Sequence, residues 1–109
     1  MKEITVLEQI ILSSVFKLGE KAYGVSVRQR VKKLLRKNIN YGTLYNVLEQ
    51  LLRKGYVKKT LGESSPERVG RPRIYYALTP TGEKALWKAY ELQNSIWNSI
   101  PGFIKDYKP

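Results

Sequence analysis

At Gly55 the hydrophobic period of the chain changes from that of a helix to that of a strand, and this change constrains the fold more than any other feature. On the N-terminal side, the segment Tyr41 to Lys54 gathers Leu44, Val47, Leu48, Leu51 and Leu52 into one apolar arc when successive residues are set about 100° apart. Gly42, Asn46, Gln50 and Arg53 lie opposite, with Thr43 and Glu49 at the margins and Tyr45 at the border. Gly55 suits a C-terminal cap, and Arg53 and Lys54 before it complement the negative end of a helix dipole. On the C-terminal side, residues 56–60 and 73–78 are short, aromatic and β-branched runs that read as strands. Between them, Leu61 to Pro72 carries Gly62, Ser64, Ser65, Pro66, Gly70 and Pro72, the composition of a long hairpin loop. A two-stranded hairpin is marginal by itself, so it must lean on helices.

Three further helices are expected around this centre. Ile4, Leu7, Ile10, Ile11, Val15, Phe16 and Leu18 recur at helical spacing, ending before Gly19-Glu20-Lys21, which reads as a turn. The apolar face of this first helix is broad enough to pack on two sides, against the core and against a second body such as another subunit. Tyr23-Gly24 opens a second, short and basic helix with Val25, Val27, Val31, Leu34 and Leu35 directed inward. Asn38 and Asn40 suit the turn and N-cap that follow. Thr79-Pro80 starts a last helix expected to reach about Ser99 and to stop at Pro101-Gly102. It carries two stripes, Leu86, Ala89, Ile96 and Ile100 on one side and Trp87, Tyr90 and Trp97 on the other, more than one small core needs.

Composition narrows the chemistry. The chain has 109 residues, the size of one domain, with average proportions of hydrophobic and charged residues. It has neither cysteine nor histidine, which removes disulfides, thiolate nucleophiles, the commonest general base and the commonest metal ligand. Its acids are glutamates apart from a lone Asp106, so no paired-carboxylate site stands out. The one G-x-x-x-x-G, Gly19 to Gly24, continues into Val-Ser and is not a phosphate-binding loop. An enzyme is not expected, nor is a cofactor or metal. No apolar run approaches the roughly 20 residues of a membrane span, and Met1-Lys2-Glu3 does not open a signal peptide; the expectation is a soluble, cytoplasmic protein without a membrane partner.

Charge supplies the positive evidence. The net charge is +11, and all of it comes from Lys21 to Arg73, where fourteen Lys or Arg face three glutamates. The two flanks hold six basic and six acidic residues and cancel. Solubility gives no reason to confine charge to one stretch, whereas a polyanionic partner does. The order helix, basic helix, turn, amphipathic helix, two-stranded ribbon and helix is that of a winged helix-turn-helix: mainly α with a two-stranded β-wing, followed by a C-terminal dimerisation helix. Residues 1–78 are read as the DNA-binding part and 79–109 as the dimerisation helix and tail. A major groove about 12 Å wide admits one helix, whose early outward residues reach base edges. Those residues here are Tyr41, Gly42, Thr43, Tyr45 and Asn46. Arg28, Lys32, Lys33, Arg36 and Lys37 of the second helix are expected at phosphates, and Lys58, Lys59, Arg68, Arg71 and Arg73 on the wing. Glu49 would repel phosphates unless it pairs with Arg53 or a cytosine amino group.

Three pieces in this order resemble the PadR family of transcriptional regulators: Tyr23-Gly24, the run from Tyr41 to Leu51 followed by Lys54-Gly55-Tyr56-Val57, and the run from Arg73 through Thr79-Pro80-Thr81-Gly82. The resemblance covers roughly residues 4 to 90. It implies a bacterial or archaeal repressor-like protein, a homodimer paired through its first and last helices on a pseudo-palindromic operator in double-stranded DNA. The pairing surface would draw on Ile4, Leu7, Ile11, Leu86, Trp87, Tyr90, Ile96 and Trp97. Some members bind a flat aromatic effector between tryptophans, which leaves open whether Trp87 or Trp97 does so or only buries area. Only about thirty residues follow Leu78, fewer than long members carry, so any sensing apparatus is small. The same fold also serves protein–protein assembly, which stands as the alternative function.

Overall fold

A computed structural model describes residues 3–64 and 72–109, so Arg68 and Arg71 lie outside the described residues. The first helix, α1 (Val6–Leu18), starts on a capping box: Thr5 Oγ1 accepts the Glu8 N–H at 3.1 Å, and the Glu8 carboxylate accepts the Thr5 N–H at 2.8 Å. After the expected turn at Gly19–Lys21, here a single 3₁₀ turn, α2 runs Gly24–Leu35. Asn40 then caps α3 (Tyr41–Arg53), its Oδ1 accepting the Thr43 N–H at 2.7 Å. Gly55, at φ 76°, takes the left-handed conformation that lets the chain leave α3 and enter the hairpin.

The hairpin pairs β1 (Val57–Ser64) antiparallel with β2 (Pro72–Leu78), in register from Val57 opposite Leu78 to Leu61 opposite Ile74, with an irregularity beyond Leu61. Its base is tied into the helical body, as a hairpin of only two strands requires. The Tyr76 N–H donates to the Ala22 carbonyl at 2.9 Å, and Tyr23 bridges Tyr75, so the segment between α1 and α2 adds a rudimentary third strand. Tyr75 and Tyr76 point to opposite faces, and it is Tyr76 that is buried.

The start of α4 (Pro80–Asn98) locks the other side of the hairpin. Thr79 Oγ1 accepts the Gly82 N–H at 3.0 Å as the N-cap and donates to the Gly55 carbonyl at 2.6 Å. The Tyr56 carbonyl accepts the Thr79 N–H at 3.0 Å and lies so close over Gly82 that a Cβ there would collide with it. The Thr-Pro-Thr-Gly run therefore combines helix initiation with a backbone contact that only glycine permits.

The core is one cluster: Ile11, Leu12 and Val15 of α1, Ala22 just before α2, Val27 and Val31 of α2, Leu44, Val47, Leu48 and Leu51 of α3, then Tyr56, Val57, Tyr76 and Ala85. Four expectations change. Val25 and Leu34 are exposed, because α1 and α3 cover only the narrow side of α2 that Gly24, Val27 and Val31 occupy. Ile11, expected at a subunit surface, is fully buried in this core and cannot face a partner. The last helix stops at Asn98, as expected, but Pro101 does not end helical structure: it stands at the first turn of a short helix, α5 (Pro101–Asp106), where its missing N–H costs nothing. The tail expected after residue 99 is thus partly helical.

One polar contact crosses the core. The Glu8 carboxylate, almost wholly buried, accepts from Lys54 Nζ at 2.8 and 2.7 Å, tying the start of α1 to the end of α3. Burial pushes the Glu8 pKa up, but the Lys54 ammonium and the Thr5 N–H outweigh it, and the net shift is downward. A lowered carboxyl pKa gives stability that is complete above the ordinary glutamate value and is lost as pH falls through the folded value. Urea unfolding should therefore show that Glu8→Gln costs about 2 kcal/mol at pH 7, where the wild-type pair is intact. The difference should shrink as the pH falls below the ordinary glutamate value and through the lowered folded one, where wild type loses the pair. Gly82→Ala should cost about 3 kcal/mol in the same assay whatever the pH, since the clash is steric.

Candidate nucleic-acid interface

The half of α3 that is not buried forms the candidate interface. Leu44, Val47, Leu48 and Leu51 anchor the helix inward, which leaves Tyr41, Gly42, Tyr45 and Asn46 exposed over its first two turns, with Thr43 partly covered beside the N-cap. The five residues expected to read bases do lie together at the end of α3 that projects from the core. Gly42 offers backbone without a side chain there, and Thr43 and Asn46 offer hydrogen-bonding groups.

Two matched pairs hold this end of α3 against α2. The Tyr45 hydroxyl end packs directly over Gly24, where a Cβ would collide with it. One turn away on each helix, Arg28 lies with its guanidinium 4.5 Å from the Tyr41 ring centroid while its Nε–H donates to the Ile39 carbonyl at 2.6 Å. The Tyr41 and Tyr45 rings stack at 6.2 Å with 23° between their planes. Gly24 with Arg28 and Tyr41 with Tyr45 are i, i+4 pairs, so the two helix faces meet rung against rung. Tyr45, at the border of the apolar arc, fills the space over Gly24 and stays half-exposed.

The cations divide into two groups. Lys32, Lys33 and Lys37 of α2 and its flank are exposed, as are Arg36 and Lys58. Arg36 adopts the left-handed conformation, φ 58°, as the C-cap of α2. Three others expected at DNA are engaged within the protein. Arg28 is held as described. Arg73 stacks 4.0 Å over Tyr23, and Tyr23 meets Tyr75 edge-on at 5.7 Å, an aromatic cluster that fixes the wing base against the start of α2. Lys59 pairs with Glu49 at 3.1 Å, so the acid on α3 is matched by the wing and not by Arg53. Tyr76 lies beneath this pair; burial raises its pKa, and the nearby Tyr45 and Glu49 push the same way, keeping the phenol neutral.

Away from α3, a second surface runs along α4. Ile4, Leu7 and Leu86 are half-buried, whereas Trp87, Tyr90, Ile96 and Trp97 are exposed, and exposed Leu92, Ile100, Phe103, Ile104 and Tyr107 extend the surface through α5. A groove of about 630 Å³ lies between the start of α1 and α4, with Ile4, Val6, Ala89, Leu92 and Ile96 among its walls. Neither tryptophan lines it. Gln93 Nε2 donates to Gln9 Oε1 at 2.7 Å and closes α1 onto α4 nearby. Among the described residues no helix is long and apolar enough to cross a membrane, and no cluster of three acidic, His or Cys side chains could hold a metal ion.

Sequence reasoning missed the Glu8–Lys54 link, whose partners lie 46 positions apart without a pattern joining them. It also missed the engagement of Arg28 and Arg73, although the four-residue spacings of Gly24 with Arg28 and Tyr41 with Tyr45 were visible and, on two facing helices, carry that signal.

Comparison with known proteins agrees with this architecture. A regulator from Clostridium thermocellum is 27% identical, with a TM-score of 0.71 over 90% of this chain and 89% of that one. A PadR-like transcriptional regulator from Bacillus cereus superposes with a TM-score of 0.75 at 22% identity, covering 94% of each chain. A PadR family regulator from Clostridium difficile superposes at 0.71 with 24% identity over 92% of this chain and 99% of its own. No curated protein matches in sequence. The model of the PadR-like transcriptional regulator family matches residues 11–88, which span the helix-turn-helix, the wing and the first half of α4. The chain is a winged-helix DNA-binding regulator, not an enzyme, and belongs to the PadR-like family of transcriptional regulators.

Proposed function

We propose that the chain works as a homodimer on a pseudo-palindromic operator, in the manner of a repressor. Residues 1–78 meet the duplex and residues 79–109 supply the pairing helix and its extension. The first two turns of α3 enter the major groove, with Asn46 and Thr43 at base edges and Tyr41 and Tyr45 at the backbone. Exposed Lys32, Lys33, Arg36, Lys37 and Lys58 neutralise phosphates, and Arg68 and Arg71 do the same from the wing. The observation that carries this reading is the polar, projecting half of α3, beside a helix whose lysines are exposed.

Pairing rests on the row of exposed large apolar side chains from Trp87 to Tyr107, the kind of surface a partner covers. Trp87, Tyr90, Ile96 and Trp97 are its centre, with Ile4 and Leu7 of α1 beside them. The groove between α1 and α4 lacks both tryptophans, so an aromatic effector would need a cavity formed only on pairing. The setting is cytoplasmic.

Duplex affinity measured by fluorescence anisotropy across a salt series tests the reading. The affinity of wild type should fall by orders of magnitude between 50 and 200 mM salt, about 10³-fold or more if six phosphates are neutralised. Asn46→Ala should cost about 1–3 kcal/mol on the preferred sequence and almost nothing on random duplex. No duplex affinity even at about 50 mM salt would favour the assembly-module function instead.

A further inference from the structure

The surroundings of Arg28 fit a phosphate ligand poorly. Its Nε–H is spent on the Ile39 carbonyl at 2.6 Å, one residue before the Asn40 cap of α3. Its planar face lies 4.5 Å from the Tyr41 centroid, and Tyr41 in turn stacks on Tyr45. Lys32, Lys33 and Lys37 nearby are exposed, and Arg28 is half-buried. A group committed on one edge to a carbonyl and on one face to a ring is oriented by the protein, and it orients what it touches.

From these contacts we infer that Arg28 is a positioning residue for duplex binding: it sets the angle at which the first turn of α3 and the Tyr41 ring meet DNA, and it neutralises no phosphate itself. This rests on the duplex-reading function proposed above. The Ile39 carbonyl and the Tyr41 ring stand on either side of the α3 cap, so one guanidinium fixes both the entry of the chain into α3 and the side chain that leads it. The second rung, Tyr45 over Gly24, lies one turn further along α3 and does not touch the Asn40 cap, so the first turn is held on this side by the Arg28 rung. Lysine cannot substitute. It keeps the charge, but as a compact, strongly hydrated ammonium it has no planar face to lay on Tyr41 while an N–H at mid-chain holds Ile39.

The charge-conserving variant separates the roles. A phosphate ligand tolerates lysine, which binds phosphate as a point charge, and losing the ligand lowers the slope of log affinity against log salt by about one. A positioning residue does neither. Affinity for a duplex selected from a random pool should be measured by anisotropy at several salt concentrations for wild type, Arg28→Lys, Arg28→Ala, Tyr41→Leu, the double variant Arg28→Ala/Tyr41→Leu, and Lys32→Ala. Arg28→Lys and Arg28→Ala should lose affinity alike, about tenfold or more, at an unchanged salt slope. The double variant should be little weaker than Arg28→Ala alone, because the two residues act through one contact. Lys32→Ala should lower the slope by about one. Circular dichroism melts identify any variant unfolded at the assay temperature; if Arg28→Ala is one, Arg28→Lys and Arg28→Gln carry the comparison.

Wild-type affinity in Arg28→Lys together with a reduced slope in Arg28→Ala would overturn the inference and make Arg28 a phosphate ligand. Unchanged affinity in both variants would overturn it by leaving Arg28 without a role. If wild type itself shows no duplex affinity at low salt, the DNA reading fails first and this role fails with it, a result distinct from the other two because it appears without any substitution.

Discussion

α3 must be gripped firmly along one side while the other side is left open, and the rest of the molecule is arranged to meet that requirement. Leu44, Leu48 and Leu51 are wholly buried among α1, α2 and the hairpin base, which fixes the rotation of the helix about its axis. At its C-terminal end Lys54 reaches the buried Glu8 carboxylate. Toward its N-terminal end Gly24 and Arg28 meet Tyr45 and Tyr41. Each contact uses a different kind of force, so the exposed face of α3 is determined by packing, charge and ring stacking together.

The wing is attached by the same economy of means. The Tyr56 carbonyl receives the Thr79 N–H and presses on Gly82, joining hairpin and α4 at a single point, while the Arg73, Tyr23 and Tyr75 cluster joins the hairpin to α2. A long α4 rooted at the wing base joins the proposed pairing surface to the hairpin through one continuous helix. Positive charge is correspondingly divided: Arg28 and Arg73 lie at ring faces and Lys54 and Lys59 pair with glutamates, whereas Lys32, Lys33, Arg36, Lys37 and Lys58 are open to solvent.

Much of this was legible in the sequence, for identifiable reasons. The α3 arc, the Gly55 break and the Thr79-Pro80 start are local signals, each with its own stereochemical cause, and each stands within a residue or two of where periodicity put it. The candidate reading residues were legible because a buried arc defines its opposite. What escaped was information carried between elements. No local rule reveals that α2 is covered on one narrow side, and so Val25 and Leu34 were assigned inward; nor that Ile11 faces the core and not a partner; nor that Pro101 opens a helix after the chain has turned. Arginine is the residue sequence reads worst here, since basic composition points to an anion whether the guanidinium is free, like a surface lysine, or laid on a tyrosine.

The central claim is that two copies present their α3 helices one duplex turn apart. Because the chain contains no cysteine, Asn46→Cys gives a single attachment site for a spin label at the exposed end of α3. Pulsed dipolar spectroscopy on the DNA-free protein should give one narrow distance near 34 Å, the separation of successive major grooves on one side of the duplex, allowing about 5 Å for the label arms. Absence of a dipolar signal, or a distance far from one helical turn, would contradict the account.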